Sequence, residues 1–242
     1  PGRVSWETRS QDGAVFTFET VTITDPEGGL TAERLVIASP QETDDGPVFA
    51  RFELTAASAS EQGGDLVATF DRLVIAEAGP EVGEAVAAAL TGREALFDAA
   101  DPAAGRFGEM RVEGLSVTGA AETGEPLDMS VASAMASGHD GRTIEAVRLE
   151  QLALVTADET GAPLTLSLGG FSADGVASAL AGLAEGGAAP SAPLAGALTP
   201  NGQYERFSLS DLEVRSAGVH VVMPGLSGAT EETGDGRVIS RT

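Results

Sequence analysis

The stretch Phe107-Gly-Glu-Met110-Arg-Val112-Glu-Gly-Leu115-Ser-Val117 decides how this chain is read. Its apolar spacing recurs as Ile144, Val147, Leu149, Leu152 and Leu154, and again as Tyr204, Phe207, Leu209, Leu212 and Val214. A three-residue form appears as Phe18, Val21 and Ile23, and as Phe70, Leu73 and Ile75. On a helix these positions would scatter around the whole circumference, so the pattern belongs to strands. The two polar residues between Val112 and Leu115 shift the alternation by one step, as a bulge or bend does. The same double step separates Leu149 from Leu152 and Leu209 from Leu212. The expectation is a strand that bends at a constant point, with the two members of each pair on opposite faces. A curled sheet, a groove or a sandwich corner needs such a strand. The unequal intervals between copies differ from the fixed period of a repeat array.

Outward from that stretch, apolar–polar alternation predicts strands at Val15–Ile23, Leu30–Ile37, Val48–Ala56, Leu66–Ile75, Met110–Val117, Leu127–Val131, Val147–Val155, Leu164–Leu168, Phe207–Val214 and Val219–Val222. Turn residues separate them, as in Asp25-Pro-Glu-Gly-Gly29, Gln62-Gly-Gly64, Glu122-Thr-Gly124 and Asp158-Glu-Thr-Gly161. Two segments have a helical period instead. One starts at Pro80 and sets Val82, Ala85, Val86, Ala89 and Leu90 on one stripe before Gly92. The other starts at Ser172 and carries Val176, Leu180 and Leu183 before Gly186-Gly187. The expected fold is mainly β: a curved or sandwiched antiparallel sheet of about ten strands with two short helices. Residues 1–185 form the strand-repeat region, and 186–202 are an uncharged Ala/Pro/Gly-rich loop or hinge. Residues 203–242 add final strands, completing the same domain, and a polar tail that frays from Thr230.

Composition narrows the function classes. Fourteen basic residues, all Arg, face 37 acidic ones, for a net charge of −23. Such a surface repels phosphate backbones and anionic membranes, which argues against nucleic-acid binding and electrostatic membrane attachment. Solubility is the plainest use of that charge. Aromatic residues make up only 5% of the chain, so its core must rest on Val, Leu, Ile and Ala. With no cysteine, thiol catalysis, disulfides and iron–sulfur clusters are excluded, while cytosol and periplasm fit equally. No run reaches the roughly 18 apolar residues of a membrane-spanning helix. The start at Pro1 rather than Met points to a removed signal or anchor, or to excision from a longer chain.

Few residues offer chemistry. His139 sits in the turn-like Gly138-His-Asp-Gly141, and His220 alternates within a strand, so both have ordinary structural settings. There is no nucleophile elbow, no His-Glu-x-x-His, and no Lys for a phosphate loop. Calcium is the one alternative to solvated turns for Asp44 and Asp45 and for Glu231, Glu232 and Asp235, but ligand number and spacing fall short of a known loop. Without aromatic platforms a sugar-cleaving cleft is disfavoured. The chain is read as non-enzymatic, with no cofactor and no metal.

The segment Phe18-Glu-Thr-Val-Thr-Ile-Thr-Asp-Pro-Glu-Gly-Gly-Leu30-Thr-Ala-Glu-Arg-Leu-Val-Ile37 resembles the strand pairs of AsmA-like and YdgA-like envelope proteins of Gram-negative bacteria. The resemblance is one of strand–turn–strand texture over most of the chain, without an invariant motif. It implies a periplasmic cell-envelope protein, anchored by a helix absent from this chain, with a curved β-sheet and a greasy groove for lipid. The candidate groove residues are Val21, Ile23, Leu73, Ile75, Val112, Leu149 and Leu209. The function expected from this is lipid binding, or holding a partner strand, on a concave apolar β-surface. The alternative is a structural or assembly subunit that docks on a larger envelope complex through exposed sheet edges.

Overall fold

A computed structural model describes residues 3–25, 28–61, 65–91, 105–120, 124–157, 161–177, 204–232 and 238–241. The elements are β1 (Arg3–Ser5), β2 (Thr8–Asp12), β3 (Val15–Asp25), β4 (Gly28–Ala38), β5 (Gln41–Thr43), β6 (Gly46–Glu61), β7 (Val67–Ala78), α1 (Pro80–Thr91), β8 (Phe107–Ala120), β9 (Pro126–His139), β10 (Thr143–Ala157), β11 (Pro163–Ala177), β12 (Arg206–Ser216), β13 (Val219–Glu232) and β14 (Val238–Arg241). All ten expected strands are present, most of them longer than their apolar signature. Neighbours along the chain are neighbours in space, in the order β1-β3-β4-β6-β7-β8-β9-β10-β11-β12-β13-β14, with β2 on β3 and β5 on β6. Every pairing is antiparallel. The sheet is single and does not close on itself, which corrects the sandwich alternative.

The bend is real, but it is not a bulge. Within each strand pair the register stays constant from end to end, so no strand carries an extra residue. Instead one transverse line of residues, from Thr20 on β3 to Pro224 on β13, is skipped by every ladder it crosses. On every second strand the residue on that line is left-handed: Thr20 (φ 54°), Ala56 (47°), Gly114 (64°), Gln151 (52°) and Asp211 (54°). A left-handed residue rotates the strand, so the apolar side chains on either side of the double polar step share a face. Leu149 packs with Leu152, and Leu209 with Leu212, in one cluster. The expectation of opposite faces is therefore corrected, and the recurring spacing is a device for staying on one face through a bend.

A second seam crosses at Ser39 (φ 50°), Glu77 (54°), Gly138 (66°) and Gly175 (59°), on or just past the intervening strands β4, β7, β9 and β11. Carboxylates lie over glycines along both lines. Asp71 occupies the space above Gly114, Asp211 that above Gly169, Glu77 that above Gly108, Glu145 that above Gly138 and Glu205 that above Gly175. Part of the chain's acidity is thus built into the two seams.

Apolar residues stand in continuous rows across the sheet. One row runs Phe18, Leu35, Leu54, Leu73, Val112, Ala134, Leu149, Phe171, Leu209 and Leu226, each opposite the next. The row beside the first seam ends in Val131, Leu152, Leu168, Leu212 and Met223. α1 lies on β6 and seats Val82, Val86 and Leu90 against the first cluster, around Val21, Leu35, Phe52 and Leu54. Among the described residues α1 is the only helix. Ser172 and Val176, expected to open a second one, lie in β11, where Ser172 is paired to strands on both sides and Val176 to β10; that pairing overrides a weak local period. The rest of that segment and the loop 186–202 lie outside the described residues. The tail expected to fray instead carries β14, paired to Ala229–Glu232.

Candidate functional site: the apolar face and its open end

The seven candidate groove residues divide between burial states. Val21 (1% exposed), Ile23 (7%), Ile75 (6%) and Leu209 (4%) are buried, while Leu73, Val112 and Leu149 are half-buried. Val21, Ile23, Leu73 and Ile75 belong to the cluster beneath α1. Leu149 and Leu209 belong to a second cluster on β8–β13, with Val131, Leu152 and Leu168 at its centre. Val112 stands in the row between them, opposite Leu73 and Ala134. No residue of α1 packs against the second cluster, whose Leu115, Leu149, Leu166, Leu212 and Met223 are only partly buried.

Of the hollows among the described residues, two border the apolar clusters most directly. One, of about 240 Å³, lies between α1 and the sheet and is lined largely by Ile37, Phe49, Phe52, Val86 and Leu90. An open one of about 630 Å³ follows the first seam, where Leu115, Val131, Leu152 and Leu168 meet Gln151 and Asp211. Both have apolar walls, with Gln41 and Glu42 beside the first and Ser116, Ser130 and Ser167 joining Gln151 and Asp211 around the second.

Charged side chains gather on the polar rows. Burial pushes the Glu53 carboxyl up, but hydrogen bonds from Arg72 Nε and Arg51 Nε, each 2.9 Å, outweigh it and hold the group below the ordinary glutamate range. Hydrogen bonds from His220 (2.7 Å) and Arg215 (2.6 Å) lower Glu213. Asp140 is lowered by the backbone N–H groups of Thr143 and Arg142, which it accepts at 2.8 Å in the turn before β10. Each is a carboxylate satisfied by its neighbours rather than poised for proton transfer.

The histidine expected in a turn ends β9 instead and is buried, because its ring packs on Phe107 (5.1 Å) and Nδ1 donates to the Gly105 carbonyl at 2.8 Å. His220 is in a strand, as expected. Asp44 and Asp45 form an exposed tight turn, Glu231 and Glu232 lie in β13, and Asp235 is outside the described residues. Among the described residues no cluster of acidic or histidine side chains has the arrangement of a metal site, and no helix is long and apolar enough to cross a membrane.

The sequence reading missed two features. The seam is one, although Gly114, Gln151 and Asp211 occupy equivalent positions of the repeated signature. The other is the edge of β13, where Val219 (54% exposed), Val221 (45%) and Val222 (60%) stand out to solvent. Its signal was available: between Ser216 and Thr230 there is no Asp, Glu or Arg. No family model matches the chain, and no curated protein is similar to it in sequence.

Proposed function

We propose that this chain is a non-catalytic cell-envelope protein, exported to the periplasm, that holds lipid on the apolar face of its sheet. The observation that carries the reading is the run of apolar rows across β3–β13, on which α1 packs over the first cluster, while Leu115, Leu149, Leu166, Leu212 and Met223 stay half-buried around the buried centre of the second. A monomer seldom leaves a contiguous apolar surface of more than a few hundred Å², roughly, without a ligand or partner for it. The test is native mass spectrometry of the gently extracted protein, paired with Leu149→Asp and Leu212→Asp at half-buried positions. The expected result is copurified lipid that both variants lose while keeping a wild-type circular dichroism spectrum. Lipid-free wild type, or variants that unfold because these positions tolerate no charge, would sink the reading.

A second reading has its own observation. A structural or assembly subunit would dock through an exposed sheet edge, and β13 presents valines along an edge that, among the described residues, β14 covers only at Ala229–Glu232.

A further inference from the structure

The two long margins of the sheet are treated differently. At the N-terminal margin β3 is covered by β1 and β2, and β2 reads Thr8-Arg-Ser-Gln-Asp12, fully exposed and polar. Arg9 lies over the rings of Phe16 and Phe18 (5.3 and 5.8 Å), and Trp6 packs edge-on against Phe18 at 5.2 Å. Short strands and charges of this kind are how proteins guard an edge against further pairing. At the opposite margin β13 pairs with β12 from Val219 to Ala229, but β14 takes up its outer side only from Ala229 onward. From Val219 to Gly228 the outer edge has no ladder partner among the described residues. That stretch carries no Asp, Glu or Arg in a chain that has 37 acidic and 14 basic residues.

We infer that this edge of β13 accepts an antiparallel strand from a partner protein, and that the sheet's rows set the chemistry of that strand. A strand antiparallel to β13 runs in the direction of β12, whose Phe207, Leu209, Leu212 and Val214 read apolar-x-apolar-x-x-apolar-x-apolar. Leu226, Met223 and Val221 are the last members of three apolar rows, and only the same spacing in the partner continues them. The partner also falls where the next left-handed residue of this seam is due, since on it β3, β6, β8, β10 and β12 carry one and the strands between them do not. Opposite Pro224 it therefore takes a left-handed residue, a conformation that Gly, Asn and Asp adopt at least cost and that Thr20, Ala56 and Gln151 adopt within the sheet.

Pro224 does not block this edge. It sits on the seam, where every ladder already skips a residue, so its missing N–H removes a donor that the pairing does not use. A second copy of the chain fits poorly. With the seams aligned, two β13 strands would set Pro224 against Pro224 and Met223 against Gly225, breaking the apolar rows. The inference deepens the docking reading and is independent of lipid holding.

The probe is a fluorescent peptide with the sequence of residues 206–216, titrated into the whole chain. Saturable binding is expected, weakened at least about tenfold in a peptide lacking the Asp211 position, because its apolar residues then lose the two–three spacing. Val221→Lys, at the end of an apolar row opposite Val214 of the peptide, should weaken binding by a similar factor with unchanged circular dichroism, since the side chain is exposed, whereas Val222→Lys faces Glu213 of the peptide and should not weaken it. Val15→Lys near the other margin should leave it intact. The outward-facing amides of Val219–Gly228, those not bonded to β12, should exchange quickly in the free protein and slow on adding peptide. Absence of saturable binding, equal binding of the two peptides, insensitivity to Val221→Lys, or slow exchange of the outward amides before peptide is added would each overturn the proposal. So would a dimer abolished by Val222→Lys, which would make a second copy the occupant. Leu149→Asp tests lipid retention separately and should not change peptide binding.

Discussion

Ala56 stands at φ 47° with an exposed side chain, in a conformation that an L-residue adopts at a cost of about 1 kcal/mol relative to glycine. Thr20, Gln151 and Asp211 share that cost on the same seam. It is tolerated because the rotation keeps Leu54 and Ala57, three positions apart, in one core cluster. Ala56→Gly should therefore raise stability by up to about 1 kcal/mol, read from the urea midpoint, because it relieves backbone strain without touching the core. Gly119 gives the opposite case. Its φ is 145°, and a Cβ there would run into the Asp65 carbonyl, which cannot move aside. Gly119→Ala should cost about 2 kcal/mol or more, and Gly114→Ala less, because the obstacle at Gly114 is the movable Asp71 carboxylate. A destabilising Ala56→Gly would mean that the seam is not strained.

α1 illustrates how an element is placed by one small residue. Pro80 at its first position and Glu81 in its first turn suit a helix start, and Thr91 Oγ1 donates back to the Ala87 carbonyl at 2.7 Å. What sets its seat is Gly83: a Cβ there would overlap the Pro47 carbonyl, at the start of β6. In an ordinary helix interior, replacing Gly by Ala stabilises by roughly 1 kcal/mol through propensity. Here the steric term is larger, so Gly83→Ala should destabilise by about 1–3 kcal/mol and loosen the packing of Val86 and Leu90. Thermal unfolding beside Ala89→Gly, an exposed control on the same helix, checks the sign. A stabilising Gly83→Ala would show that α1 can lift from β6 without loss.

Across the whole molecule, a net charge of −23 acts against a thin sheet that has only one small helix packed on it among the described residues. The ion pairs on its polar rows, such as Arg148–Asp174 and Arg34–Glu19, are partly exposed, and each contributes little. Self-repulsion should dominate, so the melting temperature should rise as sodium chloride is increased from low to moderate concentration. A fall over that range would mean that the ion pairs outweigh the repulsion. Charge also bears on the open edge, because among the described residues β13 carries neither guard charges nor a full partner along its outer side.

Strand positions are legible in the residues alone, because alternation is a local signal and each strand repeats it several times. The start of α1 at Pro80, the recurring spacing of Phe107–Val117 and the charge-free run of β13 are legible for the same reason. The direction of the bend is not. The double polar step between Leu149 and Leu152 is compatible with a face switch or with a left-handed turn that avoids one. Only the adjacent strands, whose apolar rows must stay aligned, select the left-handed conformation at Gln151. Ser172 and Val176 follow the same logic, since hydrogen bonding on both sides of β11 outweighs a helical period that no neighbour supports. Whether ten strands form one open sheet or two facing ones depends on which strand each edge meets, and that is a property of long-range pairing which no local spacing encodes.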